Sequence, residues 1–156
     1  MVFIKELVPR TAIALAARVF YGENYVALPM RHAINEQDGS RTVSYSWWFG
    51  GRENRMEISV QGQASEVVAG SDIEFITEHY WGYARRRDGR TTEYRVEHPR
   101  WLASPATSSR LDCDVARLYG SQFVESLQAV PASAFLADGS AVKVFRGALL
   151  NVGEAP

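Results

Sequence analysis

The segment EHYWGYARRRDGRTTEYRVEHPRW, residues 78–101, gathers most of the side chains here that can do chemistry. Aromatic rings, two of the three histidines and the run Arg85-Arg86-Arg87 surround an Asp-Gly pair, in a chain whose only lysines are Lys5 and Lys143. A guanidinium presents a planar fork of donors that matches a carboxylate or phosphate bidentately. His98 and Glu78 are the candidates for general acid/base work.

Asp-Gly between alternating runs predicts a two-residue hairpin turn. Counting outward from Arg87 and Arg90, Arg85 faces Thr92, Tyr83 faces Tyr94, and Trp81 faces Val96. His98 lies just beyond on that face. The other face sets Ala84, Gly82 and Arg86 against Glu93, Arg95 and Glu97, a charged solvent side. Arg85 among aromatics must be paired or must line a cavity. The expected ligand-binding set is Arg85, Tyr83, Tyr94, His98 and Trp81, joined by His32 from another hairpin. The bland alternatives are a buried ion pair of Arg85 with Glu74 or Glu78, an arginine at a barrel mouth, and histidines hydrogen-bonded in a polar wall. No metal-ligand spacing surrounds the histidines, so no metal and no cofactor is expected.

The elements that would carry these residues follow from periodicity. Residues 2–8 read as a short strand. The segment PRTAIALAARVFYGENY reads as a helix, with Thr11 as N-cap and Gly22 ending it. From Met30 to Phe49 the period is two, around Asp38-Gly39. That turn pairs Gln37 with Ser40, Ile34 with Val43, His32 with Tyr45 and Met30 with Trp47, and the face shared by the last six is expected to be buried. Residues 55–62 add a third antiparallel strand. Ser71 and Glu74 form a capping box for a helix over residues 72–79. LDCDVARLYGSQFVESLQ reads as one helix, capped by Asp112 or Asp114, with Val115, Leu118, Tyr119, Gln122, Phe123 and Leu127 on one face and Gly120 inside it. A last hairpin turns at Asp138-Gly139. The sum is an α+β fold, a curved antiparallel sheet or barrel with a few packed helices.

At 156 residues the chain is expected to be a single domain, 1–156, with a net charge of −1 that gives no field for nucleic acid or an anionic membrane. Arg85 to Arg90 is answered across its hairpin by Glu93 and Glu97. Cys113 stands alone, which excludes an intramolecular disulfide. No segment has the order of a signal peptide or the length of a membrane span, so the expected location is cytoplasmic.

WGYARR resembles the WGFPKK-type segment of the acetoacetate decarboxylase family, whose first lysine forms a Schiff base. Trp81 and Gly82 match, Tyr83 stands for phenylalanine, and Arg85-Arg86 stand where the lysine pair would be. More broadly, FIKELVPRTAIALAARVFYGENYVALPMRH and GSDIEFITEHYWGY closely resemble the YqjF-like family of uncharacterised proteins (domain of unknown function 2071) in that superfamily. The resemblance implies a barrel-like antiparallel fold around a small-molecule cavity. Arginine stays protonated and cannot form the imine, so Schiff-base decarboxylation is not expected. The resemblance also implies further strands before residue 2. Their lack would leave an edge near residues 2–7 open to pairing with a second copy. The expected function is binding of a small carboxylate or other organic anion. The alternative is a non-catalytic structural or protein-interaction module with a polar core.

Overall fold

Asp38 and Gly39 take φ values of 50° and 74°, the doubly left-handed combination of a type I′ turn. They close a hairpin of eight paired positions. The computed structural model describes residues 4–86 and 88–150. In chain order these form β1 (Glu6–Val8), α1 (Thr11–Ala16), a π-helical segment (Ala17–Tyr21), β2 (Tyr25–Ala27), β3 (Met30–Gln37), β4 (Ser40–Phe49), β5 (Arg52–Gln61) and β6 (Ser65–Glu66). Then come α2 (Asp72–Thr77), β7 (Trp81–Arg85), β8 (Thr91–Glu97), β9 (Leu102–Asp112), α3 (Val115–Leu118), a 3-10 turn (Ser121–Phe123), α4 (Val124–Gln128), β10 (Phe135–Ala137), β11 (Lys143–Val144) and β12 (Ala148–Leu149).

Two antiparallel sheets carry the fold, which is α+β. The larger runs β10-β9-β5-β4-β3, with β6 also on β9. The smaller has β8 at its centre, β7 along one edge, and β11 and β12 paired with β8 at different positions. β1 and β2 form a separate parallel pair. Among the described residues the sheets do not close into a barrel.

The β3–β4 register is the expected one, from Gln37 opposite Ser40 to Met30 opposite Trp47. Its expected buried face is only half covered. Val43 and Trp47 are buried, whereas Ile34, His32 and Tyr45 are exposed. Burial is instead concentrated where β4 meets α3. Trp47, Cys113, Val115 and Leu118 form the core there, with Leu7, Leu28, Met30 and Phe49 packed against it. Asn54, fully buried, ties this end together. Its Nδ2 donates to the carbonyls of Phe49 and Arg52, both at 3.2 Å, and its Oδ1 accepts from the Asp114 N–H at 2.8 Å.

Several boundaries differ from the sequence reading for local reasons. Thr11 is the first helical residue, and Arg10, in extended conformation, takes the N-cap without a side-chain bond. The helix continues as a π segment and ends at Gly22, as expected, in the left-handed conformation (φ 75°). Ser71 caps α2 by accepting from the Glu74 N–H, but the helix stops at Thr77 rather than at 79. Gly120 takes φ 116° and ends the expected long helix after one turn, so residues 121–128 restart as a 3-10 turn and α4. Asp114 is its cap, accepting from the Arg117 N–H, while Asp112 belongs to β9.

Asp138-Gly139 makes no hairpin. β10 joins β9 in one sheet, and β11 joins β8 in the other. β9, with Pro105 in its course and little alternation, was not anticipated from sequence. Of the expected edge, β1 pairs with β2, and residues 2 and 3 lie outside the described set.

Candidate functional site: one covered row of the β7–β8 hairpin

The Asp88-Gly89 hairpin is one residue out of the expected register. Arg86 N–H donates to the Arg90 carbonyl at 2.8 Å, so Arg86 rather than Arg87 is opposite Arg90 and the turn holds three residues instead of two (Arg87, expected opposite Arg90, lies outside the described residues). Gly89 supplies the left-handed position at φ 85°. Trp81 therefore faces Arg95, Gly82 faces Tyr94, Tyr83 faces Glu93, Ala84 faces Thr92 and Arg85 faces Thr91.

A one-residue slip moves every side chain of one strand to the opposite face relative to its partner. Trp81, Tyr83 and Arg85 consequently share an exposed face with Glu93 and Arg95. Tyr83 hydrogen-bonds Glu93, and that bond is the first cause raising its hydroxyl above the ordinary tyrosine pKa. Arg85, expected within an aromatic pocket or in an ion pair with Glu74 or Glu78, stands on this outer face. Tyr94 goes to the other side, with Gly82, Ala84 and Thr92. His32 is exposed on β3, in the other sheet, where its ring lies 6.0 Å from that of Tyr45.

The covered row is the candidate site. At one end the Tyr94 ring lies across Gly82 so closely that a Cβ there would fall within it, which is the structural reason for glycine in the WGY motif. Tyr94 OH donates to Glu23 Oε1 at 2.7 Å, and its ring meets Tyr21 edge-on at 5.1 Å. Gly22 turns Glu23 toward it. Tyr25 bonds Glu6 alongside. Burial first, then the bonded carboxylate, pushes both Tyr25 and Tyr94 hydroxyls well above their ordinary range. Burial is also the largest cause raising Glu6 above the usual carboxylate range.

The other end joins the two acid/base candidates. Val96 N–H donates to the Tyr80 carbonyl at 2.8 Å, which extends the pairing one step beyond β7. Tyr80 OH donates to Glu78 Oε2, and this bond is the first cause raising the Tyr80 hydroxyl. The Tyr80 ring is 5.0 Å from that of His98, which stacks on Trp101 at 4.2 Å. His98 Nδ1 lies 2.9 Å from the Pro99 carbonyl, and Trp101 Nε1 donates to Ser140 Oγ at 2.9 Å.

Arg100 is the functional-type residue that sequence reasoning missed. Its Nη2 bonds Glu74 Oε1 at 2.6 Å, and its Nε is 3.7 Å from Glu78 Oε2. It thus takes the ion-pair role weighed for Arg85. It stands between β8 and β9 on no periodic element, so the pattern of the sequence carried no signal for it. The Glu78 side chain is only 16% exposed, and its Oε1 is buried without a hydrogen-bond partner among the described residues. Thr92 Oγ1, in the same row, is likewise buried and unpartnered.

The cluster can bind an anion at Arg100, whose side chain stays 59% exposed, and can accept a proton or hydrogen bond at Glu78 or His98. Among the described residues no group of three or more His, Cys, Asp or Glu is arranged to hold a metal ion, and no helix is long and apolar enough to cross a membrane. Two surface depressions lie elsewhere. One, of about 310 Å³, is between β5 and β9 over Arg55, Glu57, Arg110 and Asp112, and another is at the β3–β4 turn.

Residues 1–141 match the model of the DUF2071 family, described as an uncharacterized conserved protein. No curated protein and no solved structure matches the chain.

Proposed function

We propose that this chain, which belongs to the DUF2071 family of uncharacterized conserved proteins, binds a small organic acid on the covered row of the β7–β8 hairpin. The proposal keeps the acetoacetate decarboxylase-like reading of the WGYARR segment for binding only. Its arginine pair cannot form an imine, so the reaction of that family is not assigned to it.

The observation that carries the reading is Glu78. A largely buried carboxylate with one oxygen bonded by Tyr80 and the other without a partner is costly to leave so. A ligand hydroxyl donating to Glu78 Oε1 would remove that cost, while the ligand carboxylate pairs with Arg100 and packs on the His98–Trp101 stack. A 2-hydroxy acid has both groups. In this reading Arg85 is a surface residue, and His98 with Glu78 are the groups placed to move a proton.

The test is a thermal-shift screen of small 2-hydroxy, 2-keto and simple carboxylic acids. The proteins are wild type, Arg100→Ala, Glu78→Gln and Arg85→Ala. A ligand at about 100 times its dissociation constant adds about 2.7 kcal/mol, which is roughly 5–10 °C for a chain of this size. The expected result is a shift by hydroxy acids that Arg100→Ala and Glu78→Gln lose and Arg85→Ala keeps. Loss in Arg85→Ala alone would return the anion to the outer face. No shift of the wild type by any acid would favour the interaction-module reading, for which exposed Trp81 and Tyr83 speak.

A further inference from the structure

We propose that Ser140, on the connection between the two sheets, is a positioning residue of the acid site, and that through Trp101 it sets the His98 ring so that Nε2 takes up the proton. The proposal rests on the organic-acid reading above and assigns its proton to one atom. The sequence places His98 directly before Pro99, and a proline confines the residue before it to extended backbone. His98 Nδ1 lies 2.9 Å from the Pro99 carbonyl oxygen. A carbonyl only accepts, so Nδ1 carries the hydrogen of the neutral ring and the lone pair is left at Nε2. A half-turn of the ring about its Cβ–Cγ bond would put carbon in the place of Nδ1 and lose the bond.

Stacking opposes that half-turn. Trp101 lies 4.2 Å from the imidazole with 23° between the planes, and Tyr80 lies 5.0 Å away at 31°. Trp101 is in turn held by Ser140. The indole N–H is a donor only, and Ser140 Oγ accepts it at 2.9 Å while giving its own proton to the Ala141 carbonyl at 3.2 Å. The hydroxyl is used in both directions, which an alanine cannot reproduce. Its segment is anchored on either side. Asp138 N–H donates to the Leu102 carbonyl at 2.9 Å, and the Asp138 carboxylate takes Arg41 Nη1 at 3.0 Å, both in the larger sheet. Lys143 pairs with Glu97 of the smaller sheet, the residue before His98. The two acid/base candidates then divide the work. Glu78 orients the ligand as a hydrogen-bond acceptor, and His98 Nε2 moves the proton.

Nitrogen NMR of protein labelled in its histidine rings reads this directly. It needs no ligand, so its failure and that of the acid screen are separate results. At about pH 9, where an imidazole is neutral, the wild-type His98 signals (assigned by their loss in His98→Asn) should show the hydrogen on Nδ1 and the lone pair on Nε2. On acidification the Nε2 shift should move to the protonated position while Nδ1 changes little. In Ser140→Ala the two tautomers should mix, giving intermediate shifts at both nitrogens with an unchanged far-UV circular dichroism spectrum. Ser140→Thr, which keeps the hydroxyl, should restore the wild-type pattern. A hydrogen on Nε2 in neutral wild type overturns the proposal, as does a wild-type pattern in Ser140→Ala. Should Ser140→Ala fail to fold, Trp101→Phe decides, since it keeps a ring against His98 and lacks the N–H. Mixed tautomers there support the proposal, and a wild-type pattern overturns it.

Discussion

Glu74 shows how one carboxylate serves two elements. Its Oε2 accepts from the Gly70 N–H at 2.7 Å, one residue before the Ser71 cap, and its Oε1 holds Arg100. The Gly70 bond first, and Arg100 after it, holds its carboxyl below the usual carboxylate range. A lowered folded-state pKa gives stability that is present above the unfolded value, 4.5, and is lost as pH falls through the folded one. Glu6 has the opposite sign, since burial raises it. Its charged form costs stability above the folded pKa, and the cost disappears below 4.5. Urea melts of Glu74→Gln and Glu6→Gln at pH 7 and pH 3 check both signs. Glu74→Gln is expected to be less stable than wild type at pH 7, Glu6→Gln equal or more stable, and both differences should shrink at pH 3. A Glu74→Gln deficit that persists undiminished at pH 3 would place its effect in packing.

Two hairpins with the same Asp-Gly dipeptide show what sequence could and could not reveal about the elements. At Asp38-Gly39 both residues sit in the turn, and the alternating pattern on either side gives the register by counting. At Asp88-Gly89 the loop has one residue more, and the count inherits the error. Nothing in RRRDGR favours two loop residues over three. The slip parted Tyr94 and His98 from Arg85, Tyr83 and Trp81, and so split the expected ligand set between two faces. His98 and Glu78 were legible as a pair of candidates; Arg100 was not, because it stands on no periodic element. Gly82 and Tyr94 make the register testable. Adding a Cβ at Gly82 forces the Tyr94 ring aside, so Gly82→Ala should cost about 1–3 kcal/mol by overpacking. In a Tyr94→Ala background most of that cost should vanish, a coupling of about 0.5–3 kcal/mol in denaturant melts. With Tyr94 opposite Tyr83 instead, the two sites would not couple.

At the scale of the whole molecule the limiting quantity is burial. Among the described residues an apolar cluster lies under β4 and α3, extended by Leu7 and Leu28 from the β1–β2 side, and buried Val60 and Ala103 lie outside it. The smaller sheet reaches the rest largely through polar and aromatic contacts, Tyr94 with Glu23 and Tyr21 at one end and Arg100 with α2 at the other. Opening one of those joints should therefore be felt by the smaller sheet first. In Arg100→Ala the amides of β7 and β8 are expected to exchange faster with solvent, while those of β4 and β5 keep their protection. Equal acceleration in both sheets would mean that the two open as one unit and that the polar joints hold no separate part of the fold.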